Sequence, residues 1–377
     1  DLLKQVRDRV TPNERKKIKA FSISAHGSSN FICLNSKGKA VFGVPSYDHN
    51  ISKKDHELFY KTFGDPDMLY LKTGTHNQPN ALNWAKLLFH QKIHHPNEWK
   101  KVSYIVPLNV YIGSRLCGLT NVASEQTQMH NHGYGEDNDK NLSSVIEDMG
   151  IKHLFPPVKR AYDSLGQINS EIAKKYGFQE NCIVAVGGHD SSLFAMIPKL
   201  LGINNAVSVS TGTWDVMMAE REVALEKRLQ KKGVLYNASV EGELLRTVLF
   251  RGGSMRSAYL KQYGSTQLDV HFDEHILESV LAGNDIIKPD YMDGFGPYPN
   301  SNYLQEIPAS FRNNDVKFHH ALAMSLAIQR ALAIEICGKT KLPERLSIRE
   351  FHNSKKTIIV GGHLAENYKE NGKDTGK

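Results

Sequence analysis

The part of the sequence that decides the fold is residues 182–218, which read CIVAVGGHDSSLFAMIPKLLGINNAVSVSTGTWDVMM. The first five of these residues, 182–186, are mostly β-branched and apolar, and this composition predicts a short buried strand. The strand ends at Gly187-Gly188, where the backbone is free to turn sharply and to approach a ligand closely. His189-Asp190 follow, and then Ser191-Ser192, which suit the start of a helix. The stretch therefore predicts a strand that delivers an acidic side chain to a tight turn.

A second strand in the same stretch ends in a loop that suits a phosphate group. The composition of Ala206–Ser210 predicts this strand, and Thr211-Gly212-Thr213 follow it directly. Two hydroxyls and unobstructed backbone N–H groups are what a loop needs to hold phosphate oxygens. Taken alone, a Gly-Gly pair or a Ser/Thr/Gly cluster more often indicates an ordinary turn. At the ends of two apolar strands, the two together favour a phosphotransferase site, where an acid deprotonates a hydroxyl close to a phosphate.

The two motifs together resemble those of the FGGY carbohydrate kinases, within them the rhamnulokinase-like and fuculokinase-like branch. The matching segments are VAVGGHDSSLFAMIP and VSVSTGTWDVM. The resemblance implies an α/β protein with the two-domain actin-like ATPase fold (ribonuclease H-like) and an interdomain cleft. It implies ATP-dependent phosphorylation of a sugar with Mg²⁺ as cofactor, and Asp190 as the catalytic base. It also implies that the nucleotide phosphates are contacted by Ser210, Thr211, Gly212 and Thr213.

The length of the chain, 377 residues, agrees with two domains of ordinary size. We expect an N-terminal sugar-binding domain at residues 1–177. We expect a C-terminal nucleotide-binding domain at residues 178–377.

On the sugar side, residues 18–44 predict a strand, a loop, a second strand, a hairpin turn and a third strand. The resemblance implies that the sugar is contacted by the loop after the first strand and by an aromatic-plus-Asp segment after the last. These and two further expected contacts fall on His26, Gly27, Tyr47, Asp48, His76 and Gln126. The family commonly has an Arg after this Asp, whereas this chain has His49-Asn50. The sugar therefore stays open between a ketose, such as a ketopentose or deoxyketohexose, and a polyol.

On the nucleotide side, three further segments match the resemblance. Gly252 and Gly253 stand where the family has glycines near the nucleotide, and residues 318–337 predict an amphipathic helix. The segment TIIVGG at 357–362 has the same pattern as residues 182–188, an apolar strand followed by Gly-Gly. In the family this last loop contacts adenosine, which here implies Gly361, Gly362 and Asn367.

Histidine pairs raise the question of a bound metal. His130-Asn131-His132 has the spacing of a zinc ligand pair, but no carboxylate stands at a standard distance along the chain, so we expect no metal site there. His94-His95, just before Pro96, predict an exposed loop.

Composition limits the classes of partner. The net charge of +7 is spread along the chain in pairs such as Lys16-Lys17, which indicates a solvated surface and no nucleic-acid partner. No apolar run approaches eighteen residues, so we expect no membrane span. Four scattered cysteines and the absence of a secretory signal favour a cytoplasmic protein with reduced thiols. The resemblance leaves a homodimer open.

One part of the family pattern is missing. The resemblance implies an opening Asp-x-Gly-Thr hairpin that binds phosphate, and the chain, which starts at Asp1-Leu2-Leu3, does not contain it. We therefore expect this sequence to represent part of a longer protein. The same gap keeps a second hypothesis open, a non-catalytic sensor that binds sugar or nucleotide. A chaperone-type actin-like ATPase is a third, but it would not need the loops near His26 and Asp48.

Overall fold

The structure is a computed structural model that describes residues 2–27, 31–44, 46, 49, 51–77, 83–130, 132–133, 142–220, 226–264, 270–283, 287, 295–297, 307–338 and 357–362. The chain forms two compact units. The first contains Asp1–Met196 and Tyr236–Leu244, and the second contains Ile197–Leu235 and Leu245–Lys377.

The first unit is built from short strands and mostly short helices. Its helices are α1 Leu2–Arg9, α2 Pro12–Arg15, α3 Lys53–Phe63, α4 Pro66–Thr73, α5 Trp84–His94, α6 Pro96–Trp99, α7 Leu108–Cys117, α8 Ser144–Asp148, α9 Ser170–Tyr176 and α10 Asp190–Phe194. Its strands are β1 Ala20–Phe21, β2 Ser24–Ala25, β3 Phe31–Leu34, β4 Tyr104–Pro107, β5 Ser124–Glu125, β6 Val158–Lys159, β7 Ser164–Gln167, β8 Ile183–Ala185 and β9 Gly188–His189. Two 3₁₀ turns lie at Gln126–Gln128 and Lys152–Leu154.

The second unit centres on one sheet. Its elements are α11 Ile197–Leu200, β10 Ala206–Thr211, β11 Asp215–Glu220, α12 Lys227–Gln230, β12 Val234–Ala238, β13 Leu244–Phe250, α13 Gly252–Tyr263, α14 Glu274–Ala282, a 3₁₀ turn at Ala309–Phe311, α15 Asp315–Gly338 and β14 Thr357–Gly362. The segment Tyr236–Leu244, which contains the end of β12, the turn and the first residue of β13, belongs to the first unit.

The predicted domain boundary differs from the division that the structure has. We expected the second domain to begin at residue 178, but the first unit continues to Met196. The reason is long-range pairing, because β8 lies between β1 and β7 in a three-stranded sheet of the first unit. The strand that carries the Gly-Gly-His-Asp motif is therefore part of the first unit.

An interrupted pair of parallel strands positions that motif. Ala20 and Phe21 of β1 pair with Ile183 and Val184 of β8, and β2 then pairs with β9 in the same direction. Between the two ladders, Gly187 has φ +71°, and a Cβ there would lie 2.1 Å from the Ile23 carbonyl oxygen. Only glycine fits this crossing, which explains why the strand has to break at the Gly-Gly pair.

The core of the first unit lies around α5, where the Trp84 ring stacks on Phe31 with centroids 4.1 Å apart. Phe31 to Leu34 are all buried because β3 pairs antiparallel with β4. The sequence predicted a third strand at residues 40–44, but within residues 40–44 the structure shows only one bridge, from Ala40 to Leu34. The segment does begin along the edge of β3 opposite β4, where Val41 N donates to the Cys33 carbonyl oxygen at 2.8 Å, but the pairing ends there, so the prediction was wrong beyond these first residues.

The sheet of the second unit has the strand order β12-β13-β11-β10-β14. Strand β10 runs antiparallel to β11 and parallel to β14. Helix α15 packs on β10 and β11 and confirms the helix predicted at residues 318–337. By length and composition α15 is able to cross a membrane, yet 56% of its most apolar window is buried inside the protein, as in the core helix of a soluble fold.

Candidate active site

The parallel register of β2 and β9 brings two loops of the first unit together. Ala25 lies beside His189, so His26-Gly27 emerge next to Asp190, the first residue of α10. Loops that follow neighbouring parallel strands meet at the carboxyl edge of a sheet, where α/β proteins bind ligands. The two loops lie very close together, because a Cβ on Gly27 would be only 2.7 Å from His189 Nε2. Three predicted site residues, His26, Gly27 and Asp190, therefore share one location.

Asp190 presents a half-exposed carboxylate at this edge. Its side chain is 53% exposed, and its Oδ1 accepts hydrogen bonds from Ser191 N at 2.6 Å and Ser191 Oγ at 3.2 Å. Partial desolvation raises the pKa of Asp190 above its ordinary value, although the Ser191 hydrogen bonds and the charge of His26 oppose this rise. A raised pKa together with solvent access makes this carboxylate a better proton acceptor than an ordinary surface Asp.

His189 stands beside Asp190 without a positive charge. Its Nε2 lies 3.3 Å from Asp190 Oδ1 and its Nδ1 lies 3.0 Å from Ser192 Oγ. Burial lowers the pKa of His189 to about 3, and the neighbouring His26 lowers it further. Because the imidazole is neutral, it lies close to the Asp190 carboxylate without neutralising its charge.

Two buried residues, Glu125 and Thr127, hold the backbone at His189 in place through hydrogen bonds. Thr127 Oγ1 accepts a hydrogen bond from His189 N at 2.8 Å and donates one to Glu125 Oε2 at 2.7 Å. Glu125 is fully buried. Desolvation raises the pKa of Glu125 to about 7, against the lowering effect of hydrogen bonds from Thr127 and Gln128. These hydrogen bonds fix the backbone of His189, the residue that precedes Asp190.

In the second unit, the parallel pairing of β10 and β14 brings two predicted loops to one edge. Ser210 pairs with Gly361 and Thr211 with Gly362, and Thr211 Oγ1 donates a hydrogen bond to the Gly361 carbonyl oxygen at 3.0 Å. The hydroxyl of Thr211 is therefore used within the sheet. Thr213 is exposed and Gly212 is half-buried. The open part of this loop is its tip, at Gly212 and Thr213.

The start of α13 packs against the same loop through two glycines. A Cβ on Gly253 would lie 2.2 Å from the Gly212 carbonyl oxygen, and one on Gly252 would lie 2.4 Å from Asp215 Oδ2. Ser254 N donates a hydrogen bond to the Thr213 carbonyl oxygen at 3.2 Å. Side chains at either glycine would push the helix away from the loop. We therefore expect these glycines to shape the loop that would hold a phosphate.

An ion pair that the sequence did not indicate anchors the far side of the loop. Arg330 of α15 donates from Nε to Asp215 Oδ2 at 2.7 Å, and the Asp215 side chain is fully buried. Desolvation raises the pKa of Asp215, whereas the charge and hydrogen bond of Arg330 lower it. Because Asp215 directly follows Trp214, the pair fixes the point where the loop re-enters the sheet.

Comparison with known families identifies both units. The model of the N-terminal domain of the FGGY family of carbohydrate kinases matches residues 2–197, and the model of the carbohydrate kinase FGGY C-terminal domain matches residues 204–340. The chain belongs to the FGGY family.

Curated relatives of this FGGY chain match at low identity. An L-fuculokinase of Haemophilus influenzae is 27% identical over 167 residues, which are 42% of this chain and 33% of that protein. A putative sugar kinase of Bacillus subtilis is 25% identical over 189 residues, 48% of this chain and 36% of that protein. The match thus spans about a third of the length of these relatives.

Solved structures agree with the two-domain actin-like fold. A carbohydrate kinase from Novosphingobium aromaticivorans has a TM-score of 0.71 at 23% identity, covering 97% of this chain and 73% of that one. A ligand-bound xylulose kinase from Lactobacillus acidophilus has a TM-score of 0.70 at 14% identity, covering 96% and 70%. At these identities the likeness concerns the fold alone.

The remaining predicted sugar contacts of the FGGY chain lie in different environments. His76 is buried, and its ring meets Tyr70 edge-on at 5.8 Å. Gln126 is also buried and donates from Nε2 to the Ser239 carbonyl oxygen at 3.5 Å. A role in sugar binding stays a prediction for both. The other predicted residues, Tyr47, Asp48 and the nucleotide-side Asn367, lie outside the described residues.

The two histidines of the His-x-His motif have separate partners. His130 Nδ1 lies 3.1 Å from the Thr127 carbonyl oxygen, whereas His132 Nδ1 lies 2.8 Å from Thr73 Oγ1. Burial lowers the pKa of both imidazoles to about 3. Each ring is thus a neutral, buried structural group with its own hydrogen bond. His130 also packs beside His189, with ring centroids 5.3 Å apart, and so helps to hold the Asp190 loop.

The family implies two bound groups at the phosphate loop, a nucleotide phosphate and Mg²⁺. The residues of the loop suit the first of these better than the second. The exposed Thr213 and the half-buried Gly212 offer the small, polar surface that a nucleotide phosphate requires. For Mg²⁺ the loop is incomplete, because Asp215 is fully buried and is paired with Arg330. Among the described residues 206–220, Asp215 and the strand-end Glu220 are the carboxylates. These residues therefore do not form a magnesium site by themselves.

Proposed function

We propose that this protein phosphorylates a sugar hydroxyl with ATP, and that Asp190 is the general base. The observation that carries this proposal is the Asp190 carboxylate, which is half-exposed at the carboxyl edge of β9 and has a raised pKa. Support also comes from the family membership of both units.

In the proposed reaction the sugar hydroxyl oxygen attacks the γ-phosphorus of ATP and ADP leaves. The proton of the hydroxyl goes to Asp190, so the alkoxide character develops only as the new bond forms. The two hydrogen bonds from Ser191 hold the Asp190 carboxylate in its orientation. A base with a raised pKa is better matched to a hydroxyl proton than an ordinary Asp.

The nucleotide would be held by the second unit. The N–H groups and hydroxyl at Gly212 and Thr213 would contact phosphate oxygens, with Ser210 and Thr211 behind them and the glycines of α13 and β14 shaping the cradle. The substrate would be MgATP, in which the ion arrives on the phosphates, as is common for Mg²⁺.

The substrate class is part of the proposal. We propose a ketose, such as a ketopentose or a deoxyketohexose, or a polyol, in keeping with relatives that are named as L-fuculokinase and xylulose kinase. We further propose His26 and Gly27 as sugar contacts, because they lie beside Asp190. The chain would act in the cytoplasm without nucleic-acid or membrane partners.

A coupled assay of ADP release tests the proposal. The purified full-length protein is mixed with ATP, Mg²⁺ and, in turn, ketopentoses, deoxyketohexoses and glycerol. We expect ADP release that depends on one class of sugar and exceeds the rate without sugar. Sugar and nucleotide binding by calorimetry with no ADP release for any sugar would contradict the proposal and favour the non-catalytic sensor.

A further inference from the structure

Two helices of the first unit bring together three side chains that play no part in the proposed reaction. Asp55 lies in the first turn of α3, and His90 and His94 lie one turn apart on the same face of α5. Asp55 Oδ2 is 3.0 Å from His90 Nδ1, and Asp55 Oδ1 is 3.0 Å from His94 Nε2. The sequence predicted an exposed loop at His94-His95, but α5 continues to His94 and so completes the cluster.

The spacing of these atoms suits a small cation. One nitrogen of each histidine and one oxygen of Asp55 all lie within 4.8 Å of one another. A tetrahedral ion with ligands at about 2.0–2.1 Å sets its ligand atoms about 3.3 Å apart. The two imidazole rings are already neighbours, with centroids 4.5 Å apart. Small movements of these three side chains, without any movement of the helices by a full turn, would convert the hydrogen-bonded cluster into a coordination site.

The carboxylate is prepared for this role by its surroundings. Ser52 Oγ donates a hydrogen bond to Asp55 Oδ2 at 2.8 Å and accepts one from Asp55 N, so the orientation of the carboxylate is fixed. One oxygen of this fixed carboxylate faces His90 and the other faces His94.

The cluster is also open to solvent on one side. The His90 side chain is 25% exposed and the His94 side chain is 47% exposed. An ion can reach the three ligands from this side, and one coordination position stays free for water. Three protein ligands and one open position are common in zinc proteins.

We propose that Asp55, His90 and His94 bind a Zn²⁺ ion that ties α3 to α5. Two imidazoles and one carboxylate form a ligand set that divalent transition metals prefer, whereas Mg²⁺ selects oxygen ligands and keeps its waters. The site is therefore distinct in chemistry from the phosphoryl-transfer step. The competing explanation is a clamp of plain hydrogen bonds that needs no ion.

Zinc titration of the whole chain, free of affinity tags and stripped with a chelator, tests the proposal. Calorimetry should show one tight site per chain. His94→Gln should weaken it at least about 100-fold, because loss of an outer-shell partner alone costs about 10–100-fold. The matched control is His95→Gln at the next position, whose ring packs 6.0 Å from Phe42 and lies outside the cluster. It should bind zinc as the unaltered chain does.

A thermal measurement and a spectroscopic one give independent readings. Zn²⁺ at about 100 times its Kd should raise the Tm of the first unit, which contains the site and has about 200 residues, by roughly 5–10 °C in the unaltered chain and not in His94→Gln. Co²⁺ in place of zinc should give the strong visible absorption of a four-coordinate site, and His90→Gln should abolish it. No stoichiometric zinc in the unaltered chain, or equal affinity in His94→Gln, would overturn the proposal in favour of the hydrogen-bonded clamp.

Discussion

Replacement of Thr127 by Val tests how the Asp190 loop is held in place. Valine keeps the shape of threonine but removes the hydroxyl that accepts from His189 N at 2.8 Å and donates to Glu125 Oε2 at 2.7 Å. The His189 N–H would then be buried without a partner, which costs about 1–3 kcal/mol. Glu125 would lose a hydrogen bond as well, worth about 1.5–3 kcal/mol when the acceptor is charged. We expect the free energy of unfolding to fall by roughly 3–5 kcal/mol.

The same change should also affect catalysis. The backbone of His189 directly precedes Asp190, so a loosened His189 lets the carboxylate move away from its productive position. A misplacement of about 1 Å costs about 100-fold in rate, and we therefore expect kcat to fall at least about tenfold. Denaturant unfolding and the coupled ADP assay measure the two effects on the same preparation.

Thr62→Val is the matched control for this prediction. Thr62 is an exposed residue of α3 whose hydroxyl donates to the Leu58 carbonyl oxygen at 2.7 Å within its own helix. Its replacement should change the free energy of unfolding by no more than about 0.5 kcal/mol. If Thr127→Val costs no more than Thr62→Val and keeps its kcat, the buried support of the Asp190 loop has been misread.

Three further changes test other parts of the account. Because the pKa of Glu125 rises from its ordinary 4.5 to about 7 on folding, its contribution to stability is full below pH 4.5 and is lost as pH rises through 7. Denaturation profiles of the unaltered chain and Glu125→Gln should therefore diverge by about 3 kcal/mol over this range. A Cβ on Gly212 would have Trp214 O, 3.9 Å away, as its nearest neighbour, so Gly212→Ala should keep Tm while calorimetry shows weaker ATP binding; unchanged ATP affinity would contradict the phosphate assignment. Arg330→Leu leaves Asp215 buried and unpaired and should cost about 3–5 kcal/mol in denaturant unfolding, and a smaller loss than 1 kcal/mol would show that the pair is dispensable.

The sequence predicted those parts of the site that depend on local pattern. An apolar run that ends in Gly-Gly predicted β8 and the turn before Asp190, because only glycine fits the crossing at Gly187. The run before Thr211 and the TIIVGG segment predicted β10 and β14 in the same way. The parallel pairing of β10 and β14 agrees with the recurrence of the same strand-then-loop pattern in the sequence.

Features that depend on distant pairing could not be predicted in this way. The pairing of β8 with β1 joins residues that lie far apart in sequence, and it moved the domain division from residue 177 to Met196. The ion pair between Asp215 and Arg330 also joins distant segments. A periodic pattern shows which face of an element is apolar, but it does not show which element covers that face.

The supporting residues of the first unit were missed for a related reason. The sequence placed Glu125 in a loop as a plausible sugar contact, and only its full burial next to Thr127 reveals its supporting role. His94 was predicted in a loop because Pro96 follows closely, yet α5 continues to that residue. Burial and helix length were set by packing and not by local preference.

The kinetics of Asp190→Asn test the central claim most directly. Asn keeps the size of the side chain but does not accept the proton of the sugar hydroxyl. We predict that kcat for the best sugar in the ADP assay falls about 10²–10⁴-fold, while the affinity for the sugar by calorimetry changes little. Asp8→Asn, at a carboxylate of similar exposure in α1, should keep full activity. Near-normal turnover of Asp190→Asn would contradict the assignment of Asp190 as the general base.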